Sequence, residues 1–367
     1  MAENQSTSAV DSMSNRQELD DLIAKIRPPD AMAAEAARER QSQLTKPPGS
    51  LGRLEEFSIR LAAIFGRLDF ELNQKVILTA AADHGVVAEG VSAYPQAVTG
   101  QMVLNFLYGG AAINVLARHV DARVVIADLG VATELPDHPN LINKKVGYGT
   151  ANLSLGPAMS EDDARKALLA GADIIAAELD AGLDILGTGD MGIGNTTPSA
   201  ALAAAFTGVA PAEIAGRGTG VDDDGLARKV DAIERGLVVN RPDPGDALDV
   251  LAKVGGFEIA GLAGAILGAA AAARPIVIDG FISTAAAMVA VGLAPAVRPY
   301  LFAAHRSQER GHGIMLDWLE LSPILDLDLR LGEGTGAVMA MSILEAAGKI
   351  LNEMATFAEA GVADRDE

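Results

Sequence analysis

Glu333 stands in Leu-Gly-Glu-Gly-Thr-Gly at 331–336, just past a strand-like run at 325–331. Glycines on both sides leave that carboxylate no adjoining side chain to bury it or pair with it. They also let the backbone turn and a ligand come close. A carboxylate so placed suits a catalytic base. A second stretch, Gly-Thr-Gly-Asp-Met-Gly-Ile-Gly-Asn-Thr-Thr at 187–197, follows another strand-like run and opens an Ala-rich helix. Its backbone N–H groups and the helix amino end could hold a phosphate. It satisfies G-x-G-x-x-G, but a dinucleotide site expects an acidic residue ending a second strand about twenty residues on. There the chain reads Phe-Thr-Gly-Val-Ala-Pro-Ala-Glu at 206–213, with no strand pattern. A mononucleotide phosphate fits better, and a tight turn is the plain alternative.

Three further clusters carry polar chemistry. Gly-Arg-Gly-Thr-Gly-Val-Asp-Asp-Asp at 216–224 precedes a helix with Arg228 and Lys229. It reads as a backbone cradle with a cation nearby or, taken alone and more commonly, as a capped surface helix with solvated charges. His-Arg-Ser-Gln-Glu-Arg-Gly-His at 305–312 offers Ser307 beside a helix start for phosphate oxygens. No carboxylate-bearing metal motif accompanies its histidines, so metal ligation is not indicated. Asp83-His84-Gly85 and the segment 90–102 form a loop entering a helix, where Tyr94 and Met102 offer a flat, soft surface for an aromatic ligand or ordinary core packing. Neither H-E-x-x-H nor G-x-S-x-G occurs, which removes support for zinc-protease and hydrolase-elbow chemistry.

The elements that would position these groups are α/β in pattern. Short apolar runs at 76–82, 124–127, 183–186, 275–278, 300–304 and 325–331 alternate with helical stretches. Most lack apolar–polar alternation, which indicates strands covered on both faces of a parallel sheet. The last run alternates and is expected at an edge. Asp, Gly or His follows each run, and in open parallel sheets ligands bind at the carboxyl ends. The expectation is an open, mostly parallel, six-stranded Rossmann-like sheet with helices on both faces, spanning 71–336. Segments 16–70 and 337–367 read as a small helical domain, and 1–15 as a mobile polar tail.

Composition sets the outer bounds. The chain has 367 residues, 49% apolar but only 4% aromatic, so its core is built from small aliphatic residues and glycine. A formal charge of −20 disfavours nucleic-acid binding and leaves any anionic ligand to a local pocket. With no cysteine, disulfides and thiolate chemistry are excluded. The apolar stretch 259–273 is shorter than the ~20 residues a bilayer needs and is rich in Ala and Gly, as in a tightly packed helix. No signal-peptide core is visible, so a cytoplasmic protein without membrane partners is expected.

Together these motifs resemble the nicotinate-nucleotide–dimethylbenzimidazole phosphoribosyltransferase family. The resemblance rests on Leu44-Thr-Lys-Pro-Pro-Gly-Ser-Leu-Gly-Arg-Leu-Glu55 and Asp83-His-Gly-Val86, then on Gly189-Asp-Met-Gly-Ile-Gly-Asn-Thr-Thr197 and Asp279-Gly-Phe-Ile-Ser-Thr-Ala285. It continues through Ser307-Gln-Glu-Arg-Gly-His312 and Leu331-Gly-Glu-Gly-Thr-Gly336, in order along almost the whole chain. It implies transfer of phosphoribose from nicotinate mononucleotide to 5,6-dimethylbenzimidazole, a homodimer, and a loop at 45–51 that helps close the partner's site. It calls for no metal or cofactor.

It also implies residue roles. Glu333 matches the general base. Ser307, Gly218 and Lys229 match phosphate positions, and Gly192 and Asn195 the nucleotide loop. Asp279 matches a carboxylate near the ribose. Ser92, Tyr94, Gln101 and Met102 fall in the benzimidazole-pocket region. Asp190 stands where the family usually has Glu, one methylene shorter, so a second-carboxylate role leaves it acting through water or orienting the loop. The alternatives are the same transfer to another azole, a purine or a phenol, and a non-catalytic nucleotide sensor, against which the intact Glu333 argues.

Overall fold

The computed structural model describes the backbone of residues 2–363 and the side chains of 13–363. Among these residues, six strands form one sheet: β1 (Lys75–Ala82), β2 (Ala122–Gly130), β3 (Leu141–Asn143), β4 (Ile185–Met191), β5 (Ile276–Ile278) and β6 (Leu301–Ala303). Every pairing is parallel, in the order β3-β2-β1-β4-β5-β6. The chain builds outward from β1 in one direction and from β4 in the other. Loops leaving the carboxyl ends of β1 and β4 therefore part and open a crevice. β1 is buried at every position, as its mostly apolar run 76–82 requires under helices on both faces.

Two strand expectations are corrected. The alternating run 325–331 is not a strand. Its one bridge among the described residues, Leu325 to His305, lies past the end of β6. Asp328 has φ 55°, outside extended backbone, so the run cannot continue as a ladder. The sixth strand is β3, a run of Leu-Ile-Asn too short to show periodicity; it forms because the end of β2 offers it a free edge. Second, β4 runs on through Met191 and takes in the glycines read as a phosphate turn. Gly187 and Gly189 lie within the strand because side chains would not fit. A Cβ at Gly187 would overlap the Ile77 side chain, and one at Gly189 the Glu333 carbonyl oxygen.

The Ala/Gly-rich stretch forms the helix Phe257–Ala271, buried along nearly its whole length. It crosses the helix Glu161–Asp180 at backbone distance: a Cβ on Gly171 would overlap the Gly261 carbonyl, and one on Gly264 the Leu168 carbonyl. Among the described residues, no helix is long and apolar enough to cross a membrane.

Residues 2–15, expected as a tail, belong to the helix Ala2–Ile23; the stretch holds neither Pro nor Gly to stop it. That helix lies on the Glu161–Asp180 helix. Helices Ala31–Gln43 and Arg53–Phe65 pack together, joined by a buried hydrogen bond from Gln41 to Ser58 of 2.8 Å. Between them the loop 45–51 is tied down by Glu55, which accepts from the Gly49 and Leu51 amides and pairs with Lys46. The helix Thr335–Glu353 touches β1, β4 and β5 on one side and both of these helices on the other. Arg40 donates to the Leu351 carbonyl at its carboxyl end. It ends at Glu353, and a short helix, Phe357–Ala360, follows on a Thr356–Glu359 capping box. Residues 364–367 lie outside the described residues.

Gly171→Ala is expected to destabilise the protein by at least 1–3 kcal/mol, the usual range for overpacking, because backbone rather than a side chain must yield. Thermal unfolding measures this, and an unchanged midpoint would contradict the close helix contact.

Candidate active site

A cleft of about 430 Å³ opens where the carboxyl ends of β4, β5 and β6 meet the loop before the helix Thr335–Glu353. Glu333, Asp190, Gly192, Asn195, Gly218, Ser307, Tyr94 and Met102 all line it. Eight of the residues singled out from the sequence thus converge from five separate segments.

Glu333 sits on an unusual backbone. Gly332, Glu333 and Gly334 have φ of 83°, 64° and 95°, three left-handed residues in a row. For a residue with a Cβ this costs roughly 1–2 kcal/mol, so neighbours must hold it. Thr79 Oγ1 donates to the Glu333 carbonyl at 3.1 Å. Glu333 Oε2 accepts from the Ile113 amide at 3.2 Å, in the first turn of the helix Ala112–His119. The expectation that its flanking glycines leave Glu333 without burial is corrected: other elements close over it, and it is 6% exposed. Burial raises its proton affinity above that of an ordinary carboxylate, and the Ile113 amide pulls the other way.

Asp190, near the end of β4, lies beside it. Its Oδ2 accepts from Asn195 Nδ2 at 2.9 Å. Its Oδ1 is buried with no hydrogen-bond partner among the described residues. Burial, followed by the nearby Asp279 charge, pushes its pKa up to about 8. At neutral pH Asp190 is therefore largely a neutral acid while Glu333 is the better-stabilised anion.

Asp279 does not line the cleft, although its neighbours Gly280 and Phe281 do. It lies under the Glu333 loop, where its oxygens accept from Gly334, Gly336 and Ala337 at 3.1, 2.7 and 2.9 Å.

The opposite end of the cleft carries both signs of charge: Arg330 and the buried Glu309 line it, and Lys229 lies behind Gly218. Lys229, buried in the helix Asp223–Asn240, donates to Thr196 Oγ1 at 3.0 Å and to the Gly216 carbonyl at 3.1 Å. Burial pulls its pKa down to about 8. Gly218, at φ 51°, has no room for a side chain: a Cβ would lie 2.9 Å from Lys229 Nζ. Ser307 is positioned by His312, whose Nδ1 accepts from the Ser307 amide at 2.9 Å. His312 Nε2 is 2.9 Å from Thr284 Oγ1, which donates to the Gly280 carbonyl, so Nε2 carries the proton. Burial keeps His312 neutral down to about pH 3 and His305 down to about pH 4.

The remaining assignments divide. Ser92 lies outside the cleft lining, 3.2 Å from Thr219 Oγ1, and joins the loop 90–97 to the loop 216–221. Gln101 is exposed and outside the cleft lining, while Val98 and Met102 of the same helix face inward. Sequence reading missed Arg330, Thr219 and Phe281 as cleft residues. A cation directly ahead of Leu-Gly-Glu-Gly was the available signal for Arg330.

Comparison with known proteins shows the family of the chain. A family model described as "Phosphoribosyltransferase" matches residues 26–362. The nicotinate-nucleotide–dimethylbenzimidazole phosphoribosyltransferase of a Roseiflexus species is 61% identical over 95% of this chain and 99% of its own. That of Chloroflexus aggregans is 60% identical over the same shares. The crystal structure of the enzyme of this name from Thermus thermophilus superposes with a TM-score of 0.87 at 53% identity, covering 91% of this chain and 99% of the other.

The raised pKa of Asp190 has a stability consequence. Its folded value, about 8, exceeds the unfolded one, so ionisation costs folding energy. The cost is absent below the unfolded pKa and complete above the folded one. Asp190→Asn keeps an oxygen for Asn195 and removes the charge. Its unfolding midpoint is expected to exceed wild type at pH 8, with the gap closing toward pH 4. An equal gap at both pH values would refute the assignment.

Proposed function

Because this chain belongs to the nicotinate-nucleotide–dimethylbenzimidazole phosphoribosyltransferase family, we propose that Glu333 is the base of its reaction and Lys229 the cation of its phosphate site. The enzyme moves phosphoribose from nicotinate mononucleotide to 5,6-dimethylbenzimidazole, giving α-ribazole 5′-phosphate and nicotinate, in assembly of the cobalamin lower ligand.

The supporting observation is a buried carboxylate in a cleft whose far end is lined by Gly218 and Ser307 and backed by Lys229. One ring nitrogen of the neutral azole attacks C1′ from the face opposite the leaving pyridinium. The bond from C1′ to the pyridinium nitrogen breaks, its electron pair neutralises that ring, and nicotinate departs. Attack leaves positive charge on the azole, and Glu333 takes the proton from its other nitrogen as that charge develops. Asp190, neutral beside it, donates a hydrogen bond or orients the Gly192–Asn195 turn, and leaves Glu333 the better-placed anion. Gly218, Ser307 and Lys229 hold the 5′-phosphate, with Gly192 and Asn195 along the nucleotide. Tyr94 and Met102 receive the flat acceptor, with Ser92 at its edge.

The same reading takes the protein as a cytoplasmic homodimer. Helices Ala31–Gln43 and Arg53–Phe65, with the outer part of Thr335–Glu353, act as a small domain over the neighbouring cleft through the loop 45–51. Tyr94 and Leu331, 55% and 57% exposed at the cleft mouth, are apolar surface that such a partner would cover. Light scattering at working concentration tests this, and a monomer mass would reject it.

Glu333→Gln is expected to keep nucleotide affinity and lose about 10²–10⁴-fold in kcat; near-normal turnover rejects the base assignment. Lys229→Ala is expected to raise the KM for nicotinate mononucleotide more than it lowers kcat. An unchanged KM in steady-state assays removes Lys229 from the phosphate site.

A further inference from the structure

We infer that Asp279 is a positioning residue: its carboxylate clamps the amides of Gly334, Gly336 and Ala337, fixes the Glu333 carboxylate, and makes no contact with the ribose. The family resemblance places this residue near the sugar, and the geometry points elsewhere. Asp279 is 1% exposed and outside the cleft lining. The backbone at Gly280 and Phe281 passes along the cleft while the Asp279 side chain turns beneath the loop. Its two oxygens are engaged by three amides, and a carboxylate offers about four acceptor sites.

The space around it is closed. A Cβ on Gly336 would lie 2.8 Å from Asp279 Oδ1 and would overlap the His305 ring, so the start of the helix Thr335–Glu353 is pressed against both. The nearest ring nitrogen, His305 Nδ1, is 3.7 Å from Oδ1, beyond hydrogen-bond reach. The charge is thus answered mainly by amides at the amino end of that helix, where the backbone dipoles favour an anion.

Dependence runs both ways. Burial pushes the Asp279 pKa up to about 7, and these amides pull it back toward the anion. The loop relies on Asp279, because three consecutive left-handed residues do not hold themselves. Thr79 grips the same loop from β1 through the Glu333 carbonyl, so the residue is fixed on both flanks. A shift of about 1 Å in a reacting group can cost ~10²-fold in rate without touching the ligand.

The test separates positioning from sugar binding. In Asp279→Asn the amide oxygen can still accept from Gly336 and Ala337, but its NH₂ meets the Gly334 N–H. The expected result is a fall in kcat of about 10²-fold, with the KM and Kd for nicotinate mononucleotide unchanged. A raised nucleotide Kd with kcat retained overturns the proposal. If that variant does not fold, a co-crystal of the unaltered protein with nicotinate mononucleotide decides. Intact amide contacts with the ribose elsewhere support the clamp, and a ribose hydroxyl on Asp279 overturns it. The inference rests on Glu333 as base, and the two fail differently. Turnover retained in Glu333→Gln removes the base reading, whereas turnover lost there but kept in Asp279→Asn removes only the clamp.

Discussion

The site depends on how closely one loop backbone can approach the sheet. The loop carrying Glu333 lies directly on β4, where Gly189 leaves room for the Glu333 carbonyl. Gly334 presses on β1, where a Cβ would come within 2.5 Å of Ile77 Cγ2. With the loop so seated, Asp279 at the end of β5 reaches its amides and Thr79 of β1 its carbonyl. Three adjacent strands thus fix one side chain. Catalytic groups carried on rigid elements and locked by surrounding hydrogen bonds hold their geometry better than groups on free loops.

Charge is arranged along the cleft in the same spirit. At one end Asp190 and Glu333 line the cleft with Asp279 beneath; burial raises the proton affinity of all three, and neighbouring carboxylates add to it at Asp190 and Asp279. Because like charges in a small dry space cannot all ionise freely, protons are shared unequally. Amide donors favour the anion at Glu333, through Ile113, and at Asp279, through the loop. The other end holds the buried Lys229 with the hydroxyls of Thr196 and Ser307. A chain of formal charge −20 repels anions at long range, so an anionic nucleotide must be drawn in at short range by such local groups.

The histidines illustrate how burial decides role. His312 is held in one tautomer by the Ser307 amide and Thr284, so it positions the Ser307 backbone without carrying charge. His84 is hydrogen-bonded to Glu258 at 2.8 Å, both buried beneath the turn after β4. Neither residue lines the cleft, and both act as internal struts.

Much was legible in the sequence because its cause is local. Unbroken apolar runs follow from burial on both faces, and polar residues at strand ends from the direction of a parallel sheet. The Gly-Glu-Gly signature and the family motifs single out Glu333, Asp190, Gly218 and Ser307, which line one cleft. What the chain alone did not decide has a non-local cause. β3 is three residues paired to an edge that only the sheet supplies. Gly187 and Gly189 read as a turn, yet they are flat strand residues, because the bodies they make room for come from β1 and from a loop far along the chain. The alternation at 325–331 promised a strand, but a left-handed Asp328 and solvent claimed it. Asp279 shows the division most clearly. Its identity and its place after a strand are sequence facts, whereas the direction of its side chain, toward amides and away from the cleft, is set by packing between segments distant in sequence.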